Sequence, residues 1–317
     1  MADRKRYQLI INPKSGSNLR VERLKELKNY LEGRGDFVSI NVTKSLEHAA
    51  ELTHEAVAEK YDTVIIAGGD GSVRVVLEAA AGSKLPVLII PSGTENLLAC
   101  ELGLDGSLKT TKAALENGIV RKIDLGRVNG QHFMAVIGIG FDAQVVQYVH
   151  QKRKGHITPL DYLWPLVRTF WSYKFVRIDI IADGKIVCNE PALAYVSNIR
   201  RYAIGIGIAP DADCCDGYLD LTVFRCRSRW RLLKQSLYTI LRIDDRLVTT
   251  SRMKCQNLRI SSPEPVAVQL DGDDGPDQPL NISIDYAFSH ILTPPPPVGH
   301  KFCPPVRYYH LKRWLLR

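Results

Sequence analysis

Over roughly its first 125 residues the chain alternates short apolar runs with helical periodicity, and that order limits the fold most. Gln8–Asn12 reads as a strand, and Val21, Leu24, Leu27 and Leu31 then recur at helical spacing until Gly33. Val38–Val42, Thr63–Ala67 and Leu85–Ile90 are further strands. Between and after them lie helices over Leu46–Lys60, Val73–Ala81 and from about Asn96. A βαβα order of this kind implies a parallel sheet covered by helices on both faces.

After Asp124 the pattern changes. The apolar runs Phe133–Ile139, Val176–Ile181, Ile186–Cys188, Ala192–Ser197, Leu219–Phe224, Leu258–Ser261, Val266–Leu270 and Leu280–Ile284 are strand-like. Glycine and Asp-Gly turns punctuate them, which predicts a second, β-sandwich domain. Two helical inserts interrupt it, at about Pro159–Tyr173, rich in Trp and Leu, and at about Arg229–Leu247. A proline run, Thr293–Pro297, leads into an aromatic and basic tail, Arg307–Arg317.

With 317 residues, 45% hydrophobic and 24% charged, the chain is long enough for two cores. Its longest apolar runs fall short of the roughly 18–20 residues of a spanning helix, and no signal peptide is expected at the N-terminus. Seven cysteines without CxxC spacing fit a reduced, cytoplasmic compartment better than a disulfide framework. The histidines lack zinc spacing. A net charge of +8, concentrated at Lys152–Lys154, Arg225–Arg231 and the C-terminus, suits anionic partners. No nucleic-acid-binding module is recognisable, and no feature specifies an oligomer.

The chemistry-bearing residues follow three strands of the first domain: Asn12-Pro13-Lys14-Ser15-Gly16, Gly68-Gly69-Asp70-Gly71-Ser72 and Pro91-Ser92-Gly93-Thr94-Glu95-Asn96. In a parallel sheet these turns share the carboxyl-end edge, where ligands of open α/β sheets bind. Glycine turns opening a helix present N–H groups to phosphate. A carboxylate among them, Asp70, repels phosphate unless a cation lies between, so a nucleoside triphosphate with Mg²⁺ is the economical ligand. Walker A spacing is absent. Gly138-Ile139-Gly140-Phe141-Asp142-Ala143 has Rossmann-like spacing but lacks a repeating βαβ frame.

Taken in order, these elements resemble the diacylglycerol kinase catalytic domain, shared with bacterial lipid kinases and sphingosine kinases. Asn12–Gly16 looks like its NPxSG element, Gly68–Ser72 like GGDGT and Pro91–Asn96 like PxGTxN. Gly140–Ala143 looks like GFDA, Cys215–Asp220 like DDGxLD and Asp271-Gly272-Asp273 like DGE. Four positions depart from the pattern: Arg74-Val75 replace an Asn-Glu pair, Glu95 replaces a glycine, and Asp273 is one methylene shorter than glutamate.

The resemblance implies ATP- and Mg²⁺-dependent phosphorylation of a lipid hydroxyl such as that of diacylglycerol. An α/β domain over 1–125, completed by 292–317, would bind nucleotide, and a β-rich domain over 126–291 would take the lipid. Backbone at Gly68, Gly69, Gly71 and Ser72 would cradle phosphates, and Asn12, Gly93, Thr94 and Asn96 would contact nucleotide. Asp70 would hold Mg²⁺, and a second, structural Mg²⁺ would sit on Asp216 with oxygens of Asp213 and Tyr218. Asp273 is the expected general base, Asp70 the alternative, and Asp142 would orient the site. The aromatic insert and basic tail imply a transient membrane surface as partner. The competing readings are a non-catalytic nucleotide- or lipid-binding relative, a sphingoid-base kinase, and NAD kinase, whose Asn-Asn-Glu element is absent.

Overall fold

The run Thr63–Gly68 is buried at every position, as a strand covered on both faces must be. The computed structural model describes residues 4–15, 19–151, 162–202, 206–240 and 249–295. These form two compact units, 4–124 with 286–295, and 125–285.

In the first unit, β1 (Arg6–Ile11), α1 (Leu19–Gly33), β2 (Phe37–Val42), α2 (Leu46–Ala58), β3 (Thr63–Gly68), α3 (Asp70–Ala80) and β4 (Val87–Pro91) alternate as expected, followed by α4 (Leu97–Glu101) and α5 (Leu108–Asn117). The strands pair in parallel in the order β2-β1-β3-β4. Leu9, Ile65, Ile66, Leu88 and Ile89 fill the core. Ser45 and Ser107 cap α2 and α5 by accepting from His48 N and Thr110 N. Helix α3 begins at Asp70, three residues before the expected Val73, because the glycine turn is itself the first helical turn.

The chain continues through β5 (Ile119–Val128) into the second unit: β6 (Gln131–Phe133), β7 (Val136–Ile139), α6 (Phe141–Gln151), α7 (Leu163–Ser172), β8 (Arg177–Ala182) and β9 (Lys185–Ser197). Then come β10 (Arg201–Tyr202), β11 (Ile206–Gly207), β12 (Leu219–Arg225), α8 (Arg229–Ile240), β13 (Thr250–Cys255), β14 (Asn257–Ser261), β15 (Val268–Leu270), β16 (Asp273–Asp274) and β17 (Leu280–Thr293). Strand β9 joins two expected strands into one that serves two sheets. Its first half pairs with β8, beside β14 and β17; its second half pairs with β7 and β12. Pro191, which has no N–H to donate, stands where the partner changes.

Alternate residues of these sheets meet in one core, including Ile178, Ile180, Leu221, Val223, Ile260 and Ile282, which makes the unit a β-sandwich. The first half of β17 lies in the sandwich, and its last residues rejoin the first unit, where Ile291 pairs in parallel with Val87. Ala287, at φ 50°, marks the irregularity between the two halves. Gly16, the segment Lys152–Lys154, the ends of both helical inserts and the tail after Pro295 lie outside the described residues.

Candidate active site

Strands β1, β3 and β4 are parallel neighbours, so their C-terminal turns emerge at one edge. Hydrogen bonds tie these turns together. Asn12 N donates to Ala67 O (2.9 Å) and Ser92 N to Gly68 O (2.9 Å). Asn12 Nδ2 donates to Ser72 Oγ (2.7 Å), while the hydroxyls of Ser15 and Ser92 lie 3.0 Å apart. The two hydroxyl contacts were not foreseen, since they join residues 60 and 77 positions apart in the chain.

At the centre, a Cβ on Gly93 would stand 2.7 Å from Gly69 Cα, and one on Gly69 would stand 3.2 Å from Gly93 Cα. Glycine at both positions lets the turns meet backbone to backbone. A Cβ on Gly71, by contrast, would meet nothing within 4 Å, so space is open over the first turn of α3. That turn carries amides without intrahelical acceptors and the positive end of the helix dipole. Gly69 caps it without a side chain, and Asp70 places its carboxylate there.

The third turn is closed by Asn96, whose Oδ1 accepts from Gly93 N (2.7 Å) and whose Nδ2 donates to Gly93 O (2.8 Å). Asn96 itself takes the left-handed conformation (φ 51°), while Glu95 keeps a negative φ. A glycine is therefore not required at 95, and this departure is sterically accommodated.

In the second unit, Asp271 (φ 51°) and Gly272 (φ 88°) are the two central residues of a hairpin joining β15 to β16. The Asp271 carboxylate accepts from Met134 N (2.7 Å), Ala135 N (2.8 Å) and Val136 N (2.9 Å). The buried Gln269 accepts from Gly272 N (2.8 Å). Asp271 is thus an anchor, and Asp273, the first residue of the return strand, stays exposed.

Asp142 lies in the first turn of α6, and Tyr202 donates its hydroxyl to Oδ2 (2.7 Å). Burial pushes the carboxyl pKa above the ordinary range, opposed by the Tyr202 hydrogen bond and the Ala143 amide. The fit is tight, since a Cβ on Gly138 would stand 2.2 Å from Asp142 Oδ2. Strand β7, just before it, is antiparallel to β9 and β15, which is not the parallel frame of a dinucleotide fingerprint.

The Asp211–Asp220 loop collects its charge on a residue the sequence reading missed. Lys254 Nζ contacts Asp216 Oδ2, donates to Asp211 O (3.3 Å) and lies 3.8 Å from Asp220 Oδ2. Burial works against the ammonium, but the Asp216 hydrogen bond and the nearby carboxylates hold its pKa above the usual value. Asp220 is pushed up to about 6, because desolvation outweighs the attraction of Lys254.

The other Asp216 oxygen accepts from Tyr218 N (3.0 Å), and Asp213 Oδ1 accepts from Cys215 N (3.1 Å). Donor atoms of Asp213, Cys214 and Cys215 lie within 4.8 Å of one another, a mixed oxygen–sulfur set unlike the all-oxygen shell of magnesium. As folded, these residues match magnesium poorly, because the Lys254 ammonium already holds Asp216 Oδ2. Lys254 faces Asp220 across β12 and β13, a register that spacing in the sequence does not disclose.

A model of the diacylglycerol kinase catalytic domain matches residues 6–128, and one of the YegS C-terminal NAD kinase beta sandwich-like domain matches residues 135–292. A diacylglycerol kinase of Mycobacterium tuberculosis is 31% identical over 296 residues, 90% of this chain and 94% of that protein. The chain belongs to the diacylglycerol kinase family. Another relative, a diacylglycerol kinase of Bacillus subtilis, is 27% identical over 92% of this chain and 97% of its own. The fold is shared with a crystal structure of a diacylglycerol kinase from Bacillus anthracis, at TM-score 0.67 and 21% identity, covering 93% of this chain and 99% of that one. This diacylglycerol kinase family member is thereby a lipid kinase by class. Among the described residues no helix is long and apolar enough to cross a membrane.

Proposed function

We propose that this lipid kinase transfers the γ-phosphoryl group of ATP to the hydroxyl of a lipid such as diacylglycerol, met transiently at a membrane surface. The observation that carries the reading is the Gly69–Gly93 backbone approach beside the open first turn of α3. Phosphoryl transfer asks a protein chiefly for positioning and charge neutralisation. Amides of Gly69, Gly71 and Ser72 hold the phosphates, and Asn12 fixes Ser72 through its hydroxyl. Asn96 shapes the third turn so that Gly93 and Thr94 border the nucleotide. Asp70 presents hard oxygen donors where Mg²⁺ fits. When bound, Mg²⁺ offsets the charge of the phosphate tail. Asp273 takes the proton of the lipid hydroxyl, and Asp142 orients the elements behind it.

Labelled γ-phosphate transfer to a panel of diacylglycerol, monoacylglycerol, phosphatidylglycerol and a sphingoid base tests this. Diacylglycerol should be labelled by the wild type but not by Asp70→Ala, with the fold of the variant intact. Nucleotide binding without transfer to any lipid would replace the reading with that of a non-catalytic relative.

A further inference from the structure

Helices α7 and α8 are amphipathic the wrong way round for elements that merely cover a core. Helix α7 buries Pro165 and Thr169, and α8 buries Leu232, Gln235 and Thr239. Their outward faces carry the large apolar side chains. Trp164, Val167 and Trp171 form an i, i+3, i+7 stripe on α7, and Trp230, Leu233 and Leu237 form the same stripe on α8. Trp164, Trp171 and Trp230 are 65%, 63% and 75% exposed. A helix serving only the sandwich would bury that stripe and expose its threonines and glutamine. The two helices are joined where Arg229 Nη2 donates to Trp171 O (2.7 Å).

Charge selects the occupant. Arg168, Arg229, Arg231 and Lys234 lie on these helices, and neither helix contains an aspartate or glutamate. Tryptophan beside arginine and lysine, without acidic residues, is the composition of helices lying in the headgroup region of anionic bilayers. We propose that the outer faces of α7 and α8 form one docking surface for an anionic lipid bilayer. This deepens the interfacial part of the proposed function, but it involves none of the phosphoryl-transfer residues, so the two can fail separately.

The test is nucleotide-free binding to vesicles of phosphatidylglycerol and phosphatidylcholine, against phosphatidylcholine alone. A Trp314→Phe background leaves only the three patch tryptophans as emitters. Wild-type protein should sediment with the anionic vesicles, with blue-shifted emission quenched by brominated acyl chains. Trp164→Ala/Trp230→Ala should weaken partitioning by about tenfold or more, and Arg231→Gln/Lys234→Gln should weaken it on anionic vesicles alone. All these positions are exposed, so unfolding curves should not move. Phosphorylation of a short-chain, water-soluble diacylglycerol should be retained in both double variants.

Vesicle binding unchanged by the tryptophan substitutions would overturn the proposal. So would a wild-type dimer that the same substitutions split, which would assign the face to a second copy. Loss of short-chain turnover in wild type, with vesicle binding intact, would instead count against the kinase reading alone.

Discussion

Replacing Lys254 with methionine removes an ammonium while keeping the length of the side chain, and its consequences can be worked from the loop geometry. The Asp216 contact is between half-exposed groups, at 39% and 27% side-chain exposure, and contributes about 0–1 kcal/mol. Asp220 is different, because its side chain is only 13% exposed and Oδ2 has no hydrogen-bond partner. Leaving that carboxylate without a nearby cation costs about 1–3 kcal/mol. Together the loss is about 1–4 kcal/mol, or roughly 2–16 °C in the melting of the second unit.

The variant then faces Asp216 and Asp220 with no positive charge between them, and Mg²⁺ can take the vacated place. About 10 mM Mg²⁺ at a dissociation constant near 0.1 mM would return about 2.7 kcal/mol. Differential scanning fluorimetry on nucleotide-free protein, with EDTA or with Mg²⁺, reads both effects. With Asp70→Ala in both to remove the other proposed Mg²⁺ ligand, the Lys254 protein should melt at the same temperature in each, and Lys254→Met should melt lower in EDTA and recover in Mg²⁺. A melting temperature that climbs with Mg²⁺ in an Asp70→Ala background with Lys254 intact would refute the reasoning, since the loop would then hold a metal despite its lysine.

Other outcomes follow from the same geometry. Asp271→Ala strips the acceptor from three amides and should cost about 3 kcal/mol by urea unfolding, whereas exposed Asp273→Asn should stay within about 0.5 kcal/mol yet lose turnover. Equal destabilisation of the two would undo the division between anchor and base. Gly93→Ala drives a Cβ to 2.7 Å from Gly69 Cα, so ATP affinity should fall about tenfold or more in calorimetry, and unchanged affinity would remove the cradle from the site. Asp220, at about 6 in the folded protein, binds its proton more tightly there than in the unfolded chain. Its contribution to stability is therefore full below pH 4 and is lost as pH rises through 6. Asp220→Asn should gain about 1–2 kcal/mol relative to wild type between pH 4.5 and 7.5, and parallel unfolding profiles would contradict this.

Much of the first unit was legible because parallel strands buried on both faces leave unbroken apolar runs, as Thr63–Gly68 does. The three turns were legible as a set because adjacent parallel strands put their ends at one edge. Strand β13 was missed because only Cys255 in it is buried, and such a segment carries no apolar alternation. Strand β17 was read only to Ile284 because its pattern breaks at Asp285 and Tyr286, between its two halves. The role of Lys254 was illegible for another reason. Its partners come from the pairing register of β12 with β13, which is fixed by the whole sandwich core rather than by local residues.

How the fold commits its carboxylates narrows the mechanism more than the motifs do. Asp271 and Asp273 stand two residues apart in one hairpin, and either could serve as base by composition alone. Both oxygens of the Asp271 carboxylate already accept amide hydrogen bonds, which commits the side chain to anchoring the hairpin. That removes Asp271. Asp216 is held by an ammonium, and Asp142 by a tyrosine hydroxyl in a desolvated position with its pKa raised. A group so enclosed can orient its neighbours but has no path to a lipid hydroxyl, which must approach within hydrogen-bond distance of its base. Of Asp70, Asp142, Asp216, Asp271 and Asp273, Asp70 and Asp273 remain, and their settings differ. Asp70 sits in the first turn of α3, beside the amides proposed to hold phosphate, the disposition of a metal ligand. Asp273 lies exposed on a two-residue strand. The proposed roles stay divided on this ground, cation to Asp70 and proton to Asp273. Asp273→Glu, which keeps the carboxylate and adds reach, should retain turnover that Asp273→Asn loses.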